Sequence, residues 1–145
     1  MKENSSLFIE IENSFLFTTI PLGIVLHDKN SCIVSANPTA LDILGLTMDQ
    51  MKGKTSFDPR WKAIKEDGSD FPGELHPSSI ALLTNQEVKN VVMGVFNPLK
   101  EKICWIKIQA MPLIQKGKKE AYGVYTCFED KTKKKNAELI EIASK

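Results

Sequence analysis

The sequence predicts an α+β domain in which one antiparallel sheet packs against short helices. Extended, β-branched runs fall into two groups: Gly23–Asp28 with Cys32–Ala36, then Val88–Phe96, Ile103–Leu113 and Ala121–Phe128. Turn signals at Lys29-Asn30, Asn97-Pro98 and Lys116-Gly117 join neighbours within each group, which makes them antiparallel. Helical periodicity is confined to the two termini and to short stretches between the groups.

The 145 residues suit one domain, and 42% hydrophobic content is enough to fill its core. Nineteen basic against eighteen acidic residues leave a formal charge of +1, without the basic excess of a dedicated nucleic-acid binder. The small surplus sits late: from Lys116 onward eight lysines face five acids. The longest apolar run, Ile20–Leu26, contains Pro21 and Gly23 and falls far short of the roughly 20 residues of a membrane helix. The start, Met1-Lys2-Glu3-Asn4, does not resemble a secretion signal. Cys32, Cys104 and Cys127 are odd in number, widely spaced and set among apolar residues, so free buried thiols in a reducing compartment are expected. These features predict a cytoplasmic domain that binds no nucleic acid and does not insert into a membrane.

Leu7, Phe8, Ile11, Phe15 and Leu16 recur at helical spacing across Ser5–Phe17, with Ser5 or Ser6 as the cap and Pro21 as the stop. Gly23–Asp28 and Cys32–Ala36 read as a hairpin whose turn needs a left-handed residue, a role suited to Asn30. Asn37-Pro38 is an N-cap followed by proline in the first turn; Ala40, Leu41, Ile43 and Leu44 form an apolar face, and Gly45 ends the helix. Thr47 and Gln50 form a capping box with Leu46 and Met51 as its staple, and Gly53 closes that second helix.

Thr55–Leu75 reads as irregular, with turns at Asp58-Pro59, Asp67-Gly68 and Pro72-Gly73, yet Phe57, Trp61 and Phe71 are too aromatic for a solvated linker. Pro77–Thr84 is a helix with Ile80, Leu82 and Leu83 apolar and Asn85 as its left-handed end. In Ile103–Leu113, Cys104, Ile106, Ile108 and Ala110 alternate with Trp105, Lys107 and Gln109, separating a core face from an outer face. Thr132–Ser144 is helical, opens on lysines, aligns Ala137, Ile140 and Ser144, and meets Lys145 without a stop signal, as a helix cut from something longer would. The expected division is an N-terminal helix over 1–18, the main domain over 19–130 and the start of an output helix over 131–145.

Catalytic motifs are missing. Gly53-Lys54-Thr55 looks like the end of a phosphate-binding loop, but Met48 stands where its first glycine belongs and a helix precedes it, so it reads as a helix stop. Glu66, Asp67, Asp70 and Glu74 lack the alternating ligand spacing of a calcium loop. The chain is therefore expected to be non-enzymatic.

A ligand has room only between sheet and helices. The lining expected there is Ile80, Leu83, Ile106, Ile108, Thr126 and Phe128 with Trp61 or Phe57 as a lid, although each is equally suited to plain core. No Lys or Arg falls at an inner position, which favours a small, largely uncharged, apolar ligand. Strand alternation by itself places Ile24 and Leu26 inward and His27 outward. The Leu7–Leu16 stripe either folds over the sheet's outer face or pairs with a twin; Phe8, Ile11, Phe15 and Trp105 are the residues expected at a homodimer interface.

Taken in order, the residues resemble the PAS sensor-domain family. The matching string runs from Gly23-Ile-Val-Leu-His-Asp through Asn37-Pro-Thr-Ala, Leu44-Gly45, Trp61-Lys-Ala-Ile-Lys-Glu-Asp-Gly-Ser-Asp-Phe-Pro, Glu74-Leu-His-Pro and Ala81-Leu-Leu-Thr-Asn. It continues with Val92-Met-Gly-Val and Trp105-Ile-Lys-Ile-Gln-Ala-Met-Pro-Leu and closes on Phe128-Glu-Asp-Lys-Thr. The resemblance implies a five-stranded sheet of order 2-1-5-4-3 cupping a pocket, with Val25 and His27 turned into it, opposite to the alternation reading for His27.

It also implies a sensory, dimerising module within a larger signalling protein, such as a two-component histidine kinase, where any catalysis would reside. Asp130 and Thr132 of the closing signature would relay the signal into the following helix. Lys131 departs from the apolar residue usual between them, and Asn85 stands where the family often has Gly. Haem is not expected, because the axial histidine would lie inside Pro77–Thr84, whereas His76 precedes it. Photoactive flavin is not expected either, because Gly53–Trp61 holds no cysteine. The rival reading is a dimerisation scaffold with a filled core and no ligand.

Overall fold

The computed structural model describes residues 2–55 and 62–144, with side chains from Leu7 onward. In chain order the elements are α1 (Lys2–Glu12), α2 (Phe15–Thr19), β1 (Gly23–Asp28), β2 (Ile33–Ala36), α3 (Pro38–Leu44), α4 (Met48–Met51) and β3 (Ala63–Ile64). There follow α5 (Pro77–Thr84), β4 (Val88–Asn97), β5 (Lys102–Leu113), β6 (Gly123–Asp130) and α6 (Thr132–Ser144). All strand pairings are antiparallel, and the order across the sheet is β2-β1-β6-β5-β4-β3. This is the expected α+β arrangement, with the five long strands in the order 2-1-5-4-3. The two-residue β3 adds a sixth strand by pairing Ala63 with Val95 and Ile64 with Gly94.

The chain's local chemistry accounts for the central helices. Asn37, fully buried, accepts from the Ala40 N–H at 2.9 Å and the Ile24 N–H at 2.8 Å, while its amide donates to the Leu22 carbonyl at 2.9 Å. One side chain thus caps α3 and pins it to the start of β1. Gly45, at φ +69°, ends α3 under the Asn97 side chain, which occupies the place a Cβ would need. Asn97 donates to the Ile43 carbonyl at 3.0 Å, satisfying an acceptor the helix end leaves open. The Thr47–Gln50 capping box is formed, and Met51 and Leu46 pack into the core.

Several local expectations are corrected. The helix read across Ser5–Phe17 breaks at Asn13-Ser14, and Ser14 takes an extended backbone before α2. Such short polar side chains favour helix ends over interiors. The break re-aims the second segment, so Phe17 is buried whereas Phe15 is 78% exposed. The hairpin turn places Ser31, not Asn30, in the left-handed region, at φ +70°. Asp28 dictates this, its carboxylate accepting from the N–H groups of Asn30 (2.9 Å) and Cys32 (3.0 Å). The last strand runs two residues further than expected, because Ile106 pairs with Asp130. Of the three free cysteines only Cys104 is fully buried, and Cys32 precedes β2.

Helices pack on both faces of the sheet. The inner face of β4, β5 and β6 meets α3 and α4 through Met93, Val95, Ile106, Ile108 and Phe128. Ala81 of α5 packs on Ala110 and Val124. On the outer face, Ile24 and Leu26 form a second cluster with Phe17, joined by Phe8 and Ile11 of α1. The α1 stripe therefore folds over its own sheet, with the Phe8 ring edge-on to Tyr122 at 6.0 Å.

Candidate functional site

A cavity of about 90 Å³ lies between the inner face and the helices. Every strand contributes to its wall: Val25 and His27 from β1, Ile33 from β2, Ala63 from β3, Met93 and Val95 from β4, Ile106 and Ile108 from β5, Thr126 and Phe128 from β6. Leu44, Met51 and the His76-Pro77-Ser78 entrance to α5 close it. Gly23 leaves room for the ring of Phe128, which a Cβ there would overlap.

Of the residues expected at a pocket, Val25, His27, Ile106, Ile108, Thr126 and Phe128 come together here. Ile80 and Leu83 do not line it, and Leu83 is 79% exposed. α5 turns its small residues to the sheet, Ala81 being fully buried, so the neighbouring larger side chains lie away from the cavity. Phe57 and Trp61, as well as the Asp58-Pro59 turn, lie outside the described residues. Alternation along β1 suggested the wrong side for His27, because β1 is buried on both faces and Ile24 and Leu26 belong to the outer cluster. The resemblance carried the right parity. Sequence reasoning missed Met93 and Val95, which the alternation of β4 could have revealed, and His76, which only the packing of α5 brings inward.

The polar chemistry of the cavity is concentrated in a few atoms. Nδ1 of His27 and Oγ1 of Thr126 are buried and have no hydrogen-bond partner among the described residues. Leaving such groups unpaired costs about 1–3 kcal/mol each. Val25 sits opposite Thr126 in the β1–β6 register, so His27 and Thr126 are diagonal neighbours. Burial lowers the His27 pKa to about 4, with Asp28 opposing and His76 adding to the shift, so the ring is neutral at pH 7. His76 donates from Nε2 to the Phe71 carbonyl at 2.9 Å, which fixes its tautomer, and burial lowers its pKa as well. No Lys, Arg, Asp or Glu lines the cavity among the described residues.

The expected relay pair lies at the other end of β6. Asp130 accepts from the Thr132 N–H at 2.8 Å, and Thr132 Oγ1 accepts from the Trp105 N–H at 2.9 Å and donates to Cys104 Sγ at 3.2 Å. Trp105 is 7% exposed; its ring packs over Gly94, and the Lys135 ammonium lies 5.5 Å from the ring centroid. Of the four residues expected at a dimer interface, Phe8 and Ile11 pack on their own sheet, Trp105 is buried, and Phe15 remains open.

A sheet with short helices cupping a cavity on one face, flanked by terminal helices, defines a PAS fold. Residues 14–76 match the sequence model of the PAS domain family. Over those residues the chain is similar in sequence to PAS domains, and over most of its length it shares their fold; members of that family are typically sensory or regulatory. The PAS domain of a protein from Colwellia psychrerythraea superposes with a TM-score of 0.63 at 16% identity, over 86% of this chain and 98% of that one. The PAS domain of the fruit-fly ELK potassium channel gives 0.62 at 14% identity, over 89% and 97%. VqmA bound to DPO gives 0.58 at 20% identity, over 90% of this chain and 57% of VqmA. No curated protein sequence matches the chain significantly. Among the described residues, no helix is long and apolar enough to cross a membrane.

Proposed function

We propose that this PAS-fold domain is a non-enzymatic sensory module that binds a small, largely apolar, uncharged ligand in its cavity. The observation that carries the reading is the pair of unpartnered buried atoms, His27 Nδ1 and Thr126 Oγ1, on an otherwise apolar wall. A scaffold with a filled core would have no reason to keep two such atoms unsatisfied. VqmA, of the same fold, has DPO bound. Occupancy shifts the sheet between two arrangements, and the Asp130–Thr132 junction passes that shift to α6.

The module operates in the cytoplasm as a homodimer within a larger signal-transduction protein such as a histidine kinase, with 1–18 as an N-terminal helical segment, 19–130 as the sensing unit and 131–145 as the start of the output helix. Exposed apolar residues favour this assembly: Phe15 and Leu16 on α2, and Leu139, Ile140 and Ile142 on α6. Native mass spectrometry and light scattering of the purified chain test both parts. A small molecule released on unfolding and a dimer mass are expected; an unliganded monomer at micromolar concentration overturns the proposal.

A further inference from the structure

Resting on the sensory reading above, we propose that the cavity selects a small uncharged molecule carrying a hydroxyl group, whose oxygen partners His27 and Thr126 and whose carbon body lies on the aliphatic wall. Three observations on the wall lead to this class. The two unpartnered atoms project from adjacent strands at diagonal positions, so one ligand end faces both. A neutral imidazole nitrogen is a donor in one tautomer and an acceptor in the other, and a threonine hydroxyl is both. A ligand hydroxyl, itself donor and acceptor, completes either combination.

Charge is excluded by the lining: no Lys, Arg, Asp or Glu among the described residues lies there, and burial keeps the two imidazoles, His27 and His76, neutral, so neither a carboxylate nor an ammonium would be neutralised. Size is bounded by the volume of about 90 Å³. That lies below the roughly 150 Å³ of an apolar protein cavity known to admit benzene, so the part of an occupant held inside is smaller than benzene, about four or five heavy atoms. The volume also exceeds the need of one water molecule, and water would leave the aliphatic wall formed by Val25, Ile106 and Ile108 uncovered.

The test is an NMR titration of the full chain with 2-butanol, pentane, butyrate and butylammonium, following the His27 ring nitrogens and the methyl groups of Ile106 and Ile108. We expect 2-butanol to saturate and to move His27 Nδ1, and the two ions to produce no saturable shift. Thr126→Val should lower the ratio of butanol to pentane affinity about tenfold, the worth of one buried hydrogen bond. If pentane and butanol both enter but valine leaves their ratio unchanged, the hydroxyl class is overturned and the sensory cavity stands. Saturable butyrate or butylammonium binding overturns the uncharged class alone. If none of the four probes enters, the cavity holds water only and both readings fail.

Discussion

The Thr132 hydroxyl accepts the Trp105 N–H at 2.9 Å, tying the first residue of α6 to the longest strand of the sheet. The Lys131 N–H donates to the Trp105 carbonyl at 2.7 Å, so both backbone groups of Trp105 are held by the residues that leave the sheet. The helix is thus registered to the same strand that presents Ile106 and Ile108 to the cavity.

Asp130→Ala removes the acceptor of the Thr132 N–H and should cost about 1 kcal/mol at the helix start, in the range of a lost cap. Amide exchange over α6 should accelerate while β1 and β6 keep their protection. Signalling in a parent-protein assay should lose its dependence on input; unchanged coupling would count against the relay.

Lys135 offers a second hold on the helix, with its ammonium 2.7 Å from Glu66 and above the Trp105 ring. In a Trp61→Phe background, Lys135→Ala should red-shift Trp105 emission and open it to quenchers, because the lysine lies over the ring. Glu66→Gln should shift stability by less than about 1 kcal/mol, since Glu66 is exposed and such pairs are screened by solvent. An equal effect of both substitutions would show that charge, not coverage, holds the site.

Thr126→Val should stabilise the unliganded protein by about 1 kcal/mol in urea unfolding, because it replaces an unpartnered buried hydroxyl with a methyl group of similar shape. A loss of stability instead would mean that the hydroxyl has a partner in solution.

Stability should depend on pH through His27. The folded pKa, about 4, lies below the ordinary 6.5, so in that interval the unfolded chain binds a proton that the fold excludes. Stability is therefore complete above pH 6.5 and declines as pH falls toward 4, by up to about 1.4 kcal/mol per pH unit for one proton. His76, also lowered by burial, adds to the decline with the same sign, while Asp28 opposes the His27 shift. Denaturant unfolding of His27→Gln from pH 4.5 to 7.5 should show a slope smaller by one proton; an unchanged slope would place the proton uptake elsewhere.

Local grammar made much of this protein legible. The Asn37 cap, the Thr47–Gln50 capping box, Gly45, the left-handed Asn85 and the alternation of Cys104, Ile106, Ile108 and Ala110 depend on near neighbours in the chain, and each took its expected form. Position 83 shows where that grammar fails: helical periodicity identifies an apolar residue but not the side of α5 that the sheet needs, and close approach favoured Ala81 over Leu83.

The sequence by itself determined the kinds of the main elements, the caps of the central helices and the hairpin partners, because hydrogen-bonding caps and side-chain periods act over a few residues. Only the tertiary structure decided which face of β1 looks into the cavity, that α1 packs on the outer sheet, and that Lys135 lies over Trp105. Those outcomes depend on contacts between segments remote in the chain, where the burial gained by the whole assembly outweighs the preference of any one strand or helix.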